Sequence, residues 1–177
     1  MQMKNSEMHY GVIAIFLHWM MAILLIALLA LGLYMVGLPI SLEKLKFYGW
    51  HKEYGILALA LVMARSIWRI SNITPLLSLP LWEKLAARTV HLAFYGFMFA
   101  MPITGWLITS AAGLPVSFFG LFVLPDLIAP NHDLMKLFEG IHKWLGYGLI
   151  ATILLHFSAA LKHHFINKDD ILRRMLS

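Results

Sequence analysis

The sequence predicts an all-α fold, an integral membrane four-helix bundle, and three observations carry that prediction. The chain of 177 residues is 60% hydrophobic and only 13% charged, with a mean hydropathy of +0.76. A soluble domain of this length has too little interior to hide so much apolar surface. The apolar residues also gather in runs of bilayer-spanning length, which for a helix is about 20 residues. Finally, seven of the nine histidines lie within those runs or at their ends, where polar side chains are costly and face the bundle interior.

The first span covers residues 11–36 and carries no charged side chain. Gly37-Leu38-Pro39 ends it, and Glu43, Lys44 and Lys46 read as a short polar loop. The second span covers residues 48–70, apolar from Gly55 to Ala64 and flanked by His51-Lys52-Glu53 and by Arg65 and Arg69. Asn72, Pro75 and Pro80 mark the next connection. The third covers residues 82–109, with His91 near its start and Pro102 placed to kink it. The fourth, residues 137–165, contains His142, His156, His163 and His164. Between the last two, residues 111–136 hold Pro115, Pro125 and Pro130. Their centre, residues 116–124, is too short to span and too apolar for a free loop, so it reads as interfacial or as packing over the bundle mouth. With no linker or low-complexity segment, residues 1–177 read as one domain.

Composition closes several routes. The chain has no cysteine, which removes disulfides, iron–sulfur clusters and thiolate chemistry. The formal charge of +5 does not call for nucleic acid, because basic residues in a membrane protein mark the cytoplasmic flanks. The N-terminal residues lack a signal-peptide pattern, so the first run reads as a retained anchor. An even number of spans puts both termini on one side. That side collects Lys4, Arg65, Arg69, Lys84, Arg88, Lys162, Lys168, Arg173 and Arg174, against Lys44, Lys46, Lys52, Lys136 and Lys143 on the other. The bias places both termini of a multi-pass protein in the cytoplasm, with the lipid bilayer as its first partner; in a bacterial inner membrane the opposite face would be periplasmic.

His9 and His132 fall in loops and read as solvated. A single histidine inside a span is as readily explained by a hydrogen bond to a neighbouring helix as by chemistry; the arrangement is what tips the balance. His142 and His156 share the fourth helix, fourteen residues apart, which is roughly 21 Å along the axis and nearly the same face. One stripe therefore offers two imidazoles, too distant to share a metal ion. Helix direction supplies each with a partner. His51 and His142 both begin helices entering from the non-cytoplasmic side; His18 is early on the first helix and His156 late on the fourth. The pairs His51/His142 and His18/His156 follow from topology. A repeated His-Lys-x-x-Gly, at His51 to Gly55 and His142 to Gly146, puts a glycine one turn beyond each histidine. It would let a flat ring approach the backbone, or serve small-residue helix packing.

Imidazole suits zinc, copper and non-haem iron as well as haem. Sites for the first three usually add carboxylate or thiolate ligands, and here Glu53 and Glu139 lie near helix ends with no acid deeper. Two neutral imidazoles on facing helices suit a six-coordinate haem b, built for electron transfer. Two such haems need four ligands. Arg65 and Arg69 on the cytoplasmic side, and Lys52 and Lys143 on the other, are candidates for the propionates, or simply for snorkelling and positive-inside anchoring. His163 follows His156 by seven residues on nearly the same face, where it can serve a quinone carbonyl or a propionate, or lie at the interface with His164. His91 can do either job or sit as a core histidine.

These residues resemble the bacterial cytochrome b561 family over essentially the whole chain. The resemblance rests on His18-Trp19, His51, Arg65-x-x-x-Arg69, the His142 to His156 spacing, Leu161-x-His163-His164 and Lys168-Asp169. Cytochrome b subunits of hydrogenases and formate dehydrogenases share parts of it. It implies a dihaem membrane cytochrome with iron ligands His18, His51, His142 and His156, exchanging electrons with the quinone pool. His163 matches a histidine that the family places near quinone. The family includes a superoxide oxidase that passes electrons to ubiquinone, in which case Lys44, Lys46, Lys52 and Lys143 would attract the anion. Three function classes follow: a stand-alone oxidoreductase of superoxide and quinone, a membrane anchor relaying electrons for a partner dehydrogenase or hydrogenase, and a histidine-bearing transporter or metal-handling protein.

Overall fold

A computed structural model describes residues 2–76 and 79–176. The chain builds α1 (Val12–Gly37), α2 (Leu42–Ile70), α3 (Leu81–Ala111), a hairpin of β1 (Val116–Phe118) and β2 (Phe122–Leu124), and α4 (His132–Leu161). Beyond α4 the backbone widens into a π-helical turn, Lys162–Asn167, and a short 3₁₀ turn follows at Arg173–Met175. Three helices, α1, α3 and α4 with its π extension, are long and apolar enough to cross a membrane. The fourth, α2, runs antiparallel to α1, since Gly32 lies against His51 and His18 against Arg65. Its 29 residues make a rod of about 43 Å, longer than the roughly 30 Å hydrocarbon core, so its charged ends can reach both surfaces. The molecule is a membrane bundle of four helices.

The first connection is tighter than the sequence suggests. Ser41 caps α2 by accepting the Lys44 N–H at 3.2 Å, and Glu43 sits in the first turn, where its charge meets the positive end of the helix. Glu43, Lys44 and Lys46 are therefore helical, not a loop. Lys44 turns back instead, donating to the carbonyls of Leu38 at 2.7 Å and Val36 at 3.4 Å, groups that the end of α1 leaves without helical partners. The fourth helix likewise begins early, with Asn131 accepting from Asp133 and Leu134 N–H groups at 3.0 Å, so His132 is its exposed first residue. Pro102 lies inside α3 without ending it.

Close backbone packing joins α1 to α2, α2 to α3 and α3 to α4. Toward α1 and α2, α4 is packed far less closely than toward α3. Every helix contributes to one apolar layer: Met21 and Leu25, Val62, Met98, and Leu149. Leu149 is seven residues from His142 and seven from His156, so this layer crosses the bundle midway between them. Outward-facing Phe16, Ile23, Leu92, Leu154 and Leu155 are all more than half exposed, as a lipid-facing surface requires.

At the opposite end from the termini, residues 116–124 form the hairpin. Its turn needs left-handed backbone at two successive residues, Phe119 (φ 50°) and Gly120 (φ 72°), the mirror-image turn that matches strand twist. The Lys52 ammonium donates to Pro115 O at 3.3 Å and the Phe119 and Tyr54 rings lie 5.2 Å apart, so the hairpin packs on the start of α2. At the termini end, the N-terminal residues and the α2–α3 connection interlock through Asn5 to Ile73 O (2.7 Å) and Leu76 N–H to Glu7 O (2.9 Å). Arg174 donates to Leu76 O (2.9 Å) and the Trp19 indole to Met175 O (2.6 Å), which draws in the C-terminal turn.

One glycine is fixed by packing. A Cβ on Gly148 would stand 2.7 Å and 2.9 Å from ring atoms of Phe97, so α3 and α4 approach through that pair. Gly148→Ala is expected to cost about 1–3 kcal/mol by overpacking, read as a lower Tm of the detergent-solubilised protein. The penalty should shrink in a Phe97→Leu background. An unchanged Tm in Gly148→Ala would contradict this packing.

Candidate functional site

Two pairs of histidines face one another across the interval between α4 and its distant neighbours. At the end away from the termini, His51 on α2 and His142 on α4 have ring centroids 6.2 Å apart. The His142 Nδ1 lies 2.9 Å from the Thr104 hydroxyl on α3. That hydroxyl has one proton and directs it at its own helix, toward Ala100 O at 2.8 Å and Met101 O at 2.9 Å. Its oxygen therefore accepts from His142, which places the ring proton on Nδ1 and leaves the Nε2 lone pair available. The His51 Nδ1 is buried without a hydrogen-bond partner in the protein, a costly condition for a polar atom and one that points to a partner outside the polypeptide.

Two glycines make room for these rings. A Cβ at Gly32 would stand 3.2 Å from His51 Cε1, and one at Gly105 would stand 3.4 Å from His142 Cε1. Neither was visible in the sequence pattern. The glycines of the His-Lys-x-x-Gly repeat behave differently: Gly55 has no protein atom within 4 Å of a built Cβ, and Gly146 only the Met101 methyl at 3.8 Å. Contact between helices thus explains neither of them.

At the termini end, His18 on α1 and His156 on α4 repeat the same separation, 6.2 Å between ring centroids. A third imidazole joins them, for His91 on α3 lies 5.8 Å from His156. Phe94 closes on His156 at 5.3 Å and Trp19 on His18 at 5.4 Å. Arg65 donates to His18 Nδ1 at 3.0 Å. A guanidinium only donates, so here Nδ1 accepts, and a neutral His18 carries its proton on Nε2. Arg69 stacks 5.6 Å over the Tyr95 ring. Arg65 and Arg69 thus lie on the termini side, beside this second pair.

His163 lies on the π-helical turn, where its Nδ1 hydrogen-bonds the Asp169 carboxylate and lies 3.2 Å from the Asn167 amide. His164 packs edge-on to Phe165, and its Nδ1 is buried without a partner. The adjacent acid has a different partner: Arg174 binds Asp170 at 2.8 Å and holds its carboxyl below the usual range. Asp169 and Thr104 are the site residues that the sequence did not single out for a role. Of the lysines considered for an anion or for propionates, Lys44 caps α1, Lys46 lies 4.9 Å over Trp50, and Lys52 holds the hairpin; Lys143 is exposed.

No group of three or more histidine or acidic side chains among the described residues is arranged to hold a metal ion. The pairs suit something else. Two imidazole nitrogens at about 2 Å from a shared metal, on opposite sides, lie about 4 Å apart, and the ring centres stand roughly an ångström further out on each side. The observed 6.2 Å in both pairs meets that requirement for a bis-imidazole centre, with the remaining positions left to a planar macrocycle.

Comparison with known proteins gives the family. The family model described as prokaryotic cytochrome b561 matches residues 9–177. The chain is 39% identical to cytochrome b561 homolog 2 of Escherichia coli (strain K12) over 186 aligned positions, covering 99% of this chain and 95% of that protein. It is 35% identical to cytochrome b561 homolog 1 of the same organism, covering 71% and 72%, and 33% identical to the probable superoxide oxidase CybB of Yersinia pestis, again covering 71% and 72%. The chain belongs to the prokaryotic cytochrome b561 family, and with it to the membrane b-type cytochromes that bind haem b and transfer electrons.

Proposed function

We propose that the chain binds two haems b, one between His51 and His142 and one between His18 and His156, and passes electrons through them to ubiquinone. The observation that carries this reading is the recurrence of one separation, 6.2 Å, in two histidine pairs at opposite ends of the bundle. Haem ligated on both faces supplies a one-electron carrier without an open coordination position. The protein's own work is to hold the rings. Thr104 orients His142 through Nδ1, as ligand imidazoles generally require. At the other pair Arg65 must release His18 Nδ1 for the ring to ligate through Nε2, and the freed guanidinium, with Arg69, then suits a propionate. His163 at the end of α4 suits a quinone carbonyl.

Superoxide is the proposed donor. Each superoxide gives up one electron to become oxygen, and two such electrons with two protons reduce ubiquinone to ubiquinol. The lysines of the face away from the termini, Lys44, Lys46 and Lys52 in the contacts above and Lys143 exposed, supply a positive field that steers an anion without needing to touch it. With the termini in the cytoplasm of an inner membrane, superoxide meets the protein on the periplasmic side. A relative named as a probable superoxide oxidase supports this reading.

The reduced-minus-oxidised spectrum and the haem-to-protein ratio test the cofactor assignment. Two haems per chain are expected, and His142→Ala and His156→Ala should each remove one; if neither removes any, the ligand pairs are wrong. Thr104→Val should keep both haems but weaken the hold on one by about 10–100-fold, the usual cost of losing a ligand's supporting bond, seen as haem loss on dilution. For the donor, superoxide should reduce the haem, seen as a rise of its α band and slower at high salt, and ubiquinone should then reoxidise it. A haem-replete sample that superoxide leaves oxidised would rule that donor out.

A further inference from the structure

We propose that Asp169 is a positioning residue for His163, and that the pair delivers to quinone the protons its reduction consumes. The inference rests on the reading that quinone is reduced beside His163. Its evidence is the way the chain is bent to bring these two side chains together.

An α-helix continued past Leu161 would carry its next residues outward in register. Instead the backbone widens to a π-helical turn at Lys162–Asn167, a deformation uncommon in helices and frequent at functional sites. The turn ends at Lys168 in left-handed backbone (φ 55°), an unfavourable state for a side chain with a Cβ. Its effect is to fold the chain back on itself, so that Asp169 N–H donates to His163 O at 3.2 Å while the Asp169 carboxylate receives His163 Nδ1. The other carboxylate oxygen accepts Ile171 N–H at 3.2 Å. Asp169 is therefore fixed by its own backbone and by both oxygens. The neighbouring acid cannot substitute, being bound to Arg174.

This arrangement sets the chemistry of one ring. An ionised carboxylate only accepts, so the Nδ1 proton belongs to His163 and stays there. Nε2 is then the nitrogen that gains and loses protons. When Nε2 is protonated, the carboxylate carries the balancing charge, the part that a buried acid plays behind a general-base histidine. The His163 side chain is 12% exposed and Asp169 28%, so the ring is sheltered while its partner reaches water at the termini face.

Ubiquinone takes two electrons, delivered singly by the chain's electron transfer. For each, the doubly protonated His163 gives its Nε2 proton to a quinone oxygen, becomes neutral with Nδ1–H still on Asp169, and is reprotonated at Nε2 from water. After two rounds the product is ubiquinol and the pair is unchanged.

The test is reoxidation of the dithionite-reduced holoprotein by a short-chain, water-soluble ubiquinone, followed by haem absorbance at several quinone concentrations. Asp169→Asn keeps the Ile171 bond through its amide oxygen but removes the charge. It should lower the limiting rate at least about 10-fold, less than the roughly 100-fold or more of losing the acid itself because His163 is kept, and leave the half-saturating quinone concentration within about 2-fold, because quinone contact is not lost. Asp169→Glu should recover most of the rate. His163→Ala should raise the half-saturating concentration as well as lower the rate. All three should keep two haems and an unaltered spectrum; loss of haem from Asp169→Asn would show that Asp169 serves the fold, against the proposal. A wild-type limiting rate in Asp169→Asn, or an Asp169→Glu chain as slow as Asp169→Asn, would overturn the pair. His163→Ala with unchanged rate and half-saturation would instead overturn the quinone reading beneath it.

Discussion

The structure depends on one constraint: an imidazole inside an apolar bundle must have a partner for its nitrogens. A single helix, α4, carries two such imidazoles fourteen residues apart on one face, and the remaining helices are arranged to answer them. Antiparallel packing brings His51 to the level of His142 and His18 to the level of His156, each at the same ring separation. Between the two levels lies the layer of Met21, Leu25, Val62, Met98 and Leu149, which holds the bundle together where no polar group has to be satisfied. The apolar layer and the two imidazole levels are thus consequences of one spacing.

Rigidity is distributed to suit that plan. The close partner of α4 is α3, and their contact is fixed by Gly148 against Phe97 and, at the termini end, by Lys162 and Glu83 at 2.8 Å. Toward α1 and α2 the backbones stand further off, and side chains span the interval. A flat cofactor needs that kind of gap: one firm wall supplied by α3 and α4, and a second wall near enough to add a ligand. Glycines at 32 and 105 then make room for His51 and His142 to sit against helix backbone.

What could be read from the sequence was periodic or compositional. Apolar run lengths gave the helices, and helix direction with the fourteen-residue spacing gave the histidine pairs that the structure brings face to face. What could not be read depended on contacts between distant residues or on small departures from regular backbone. Glu43, Lys44 and Lys46 look like a loop by charge, yet Ser41 and the unpaired carbonyls of α1 make them the opening turn of α2. Residues 116–124 show an apolar stretch, but only the Phe119-Gly120 turn reveals a hairpin. Thr104 has no local signature, because its partner is 38 residues away. Asp169 lay in a recognisable Lys-Asp pair, but its role needed the π-helical turn, which no hydrophobic period records.

The two ends of the bundle are prepared differently, and the difference has a direction. The groups in contact with His51 and His142 are uncharged, a threonine hydroxyl and glycines, and the nearby Lys52 ammonium is turned to Pro115 O. Beside His18 and His156 stand Arg65, in contact with the pair, and Arg69 one turn further along α2. Adding an electron to a buried centre creates negative charge in a medium that solvates it poorly, and nearby fixed cations reduce that cost. On the proposed ligation, the centre at the termini end would be the easier of the two to reduce, since net charge is one of the protein's means of setting a haem's potential. On the same proposal, electrons entering at the far end would run toward the arginines, and so toward the face where Asp169 meets water. Charge placement, more than the apolar core, gives a nearly symmetrical bundle its polarity.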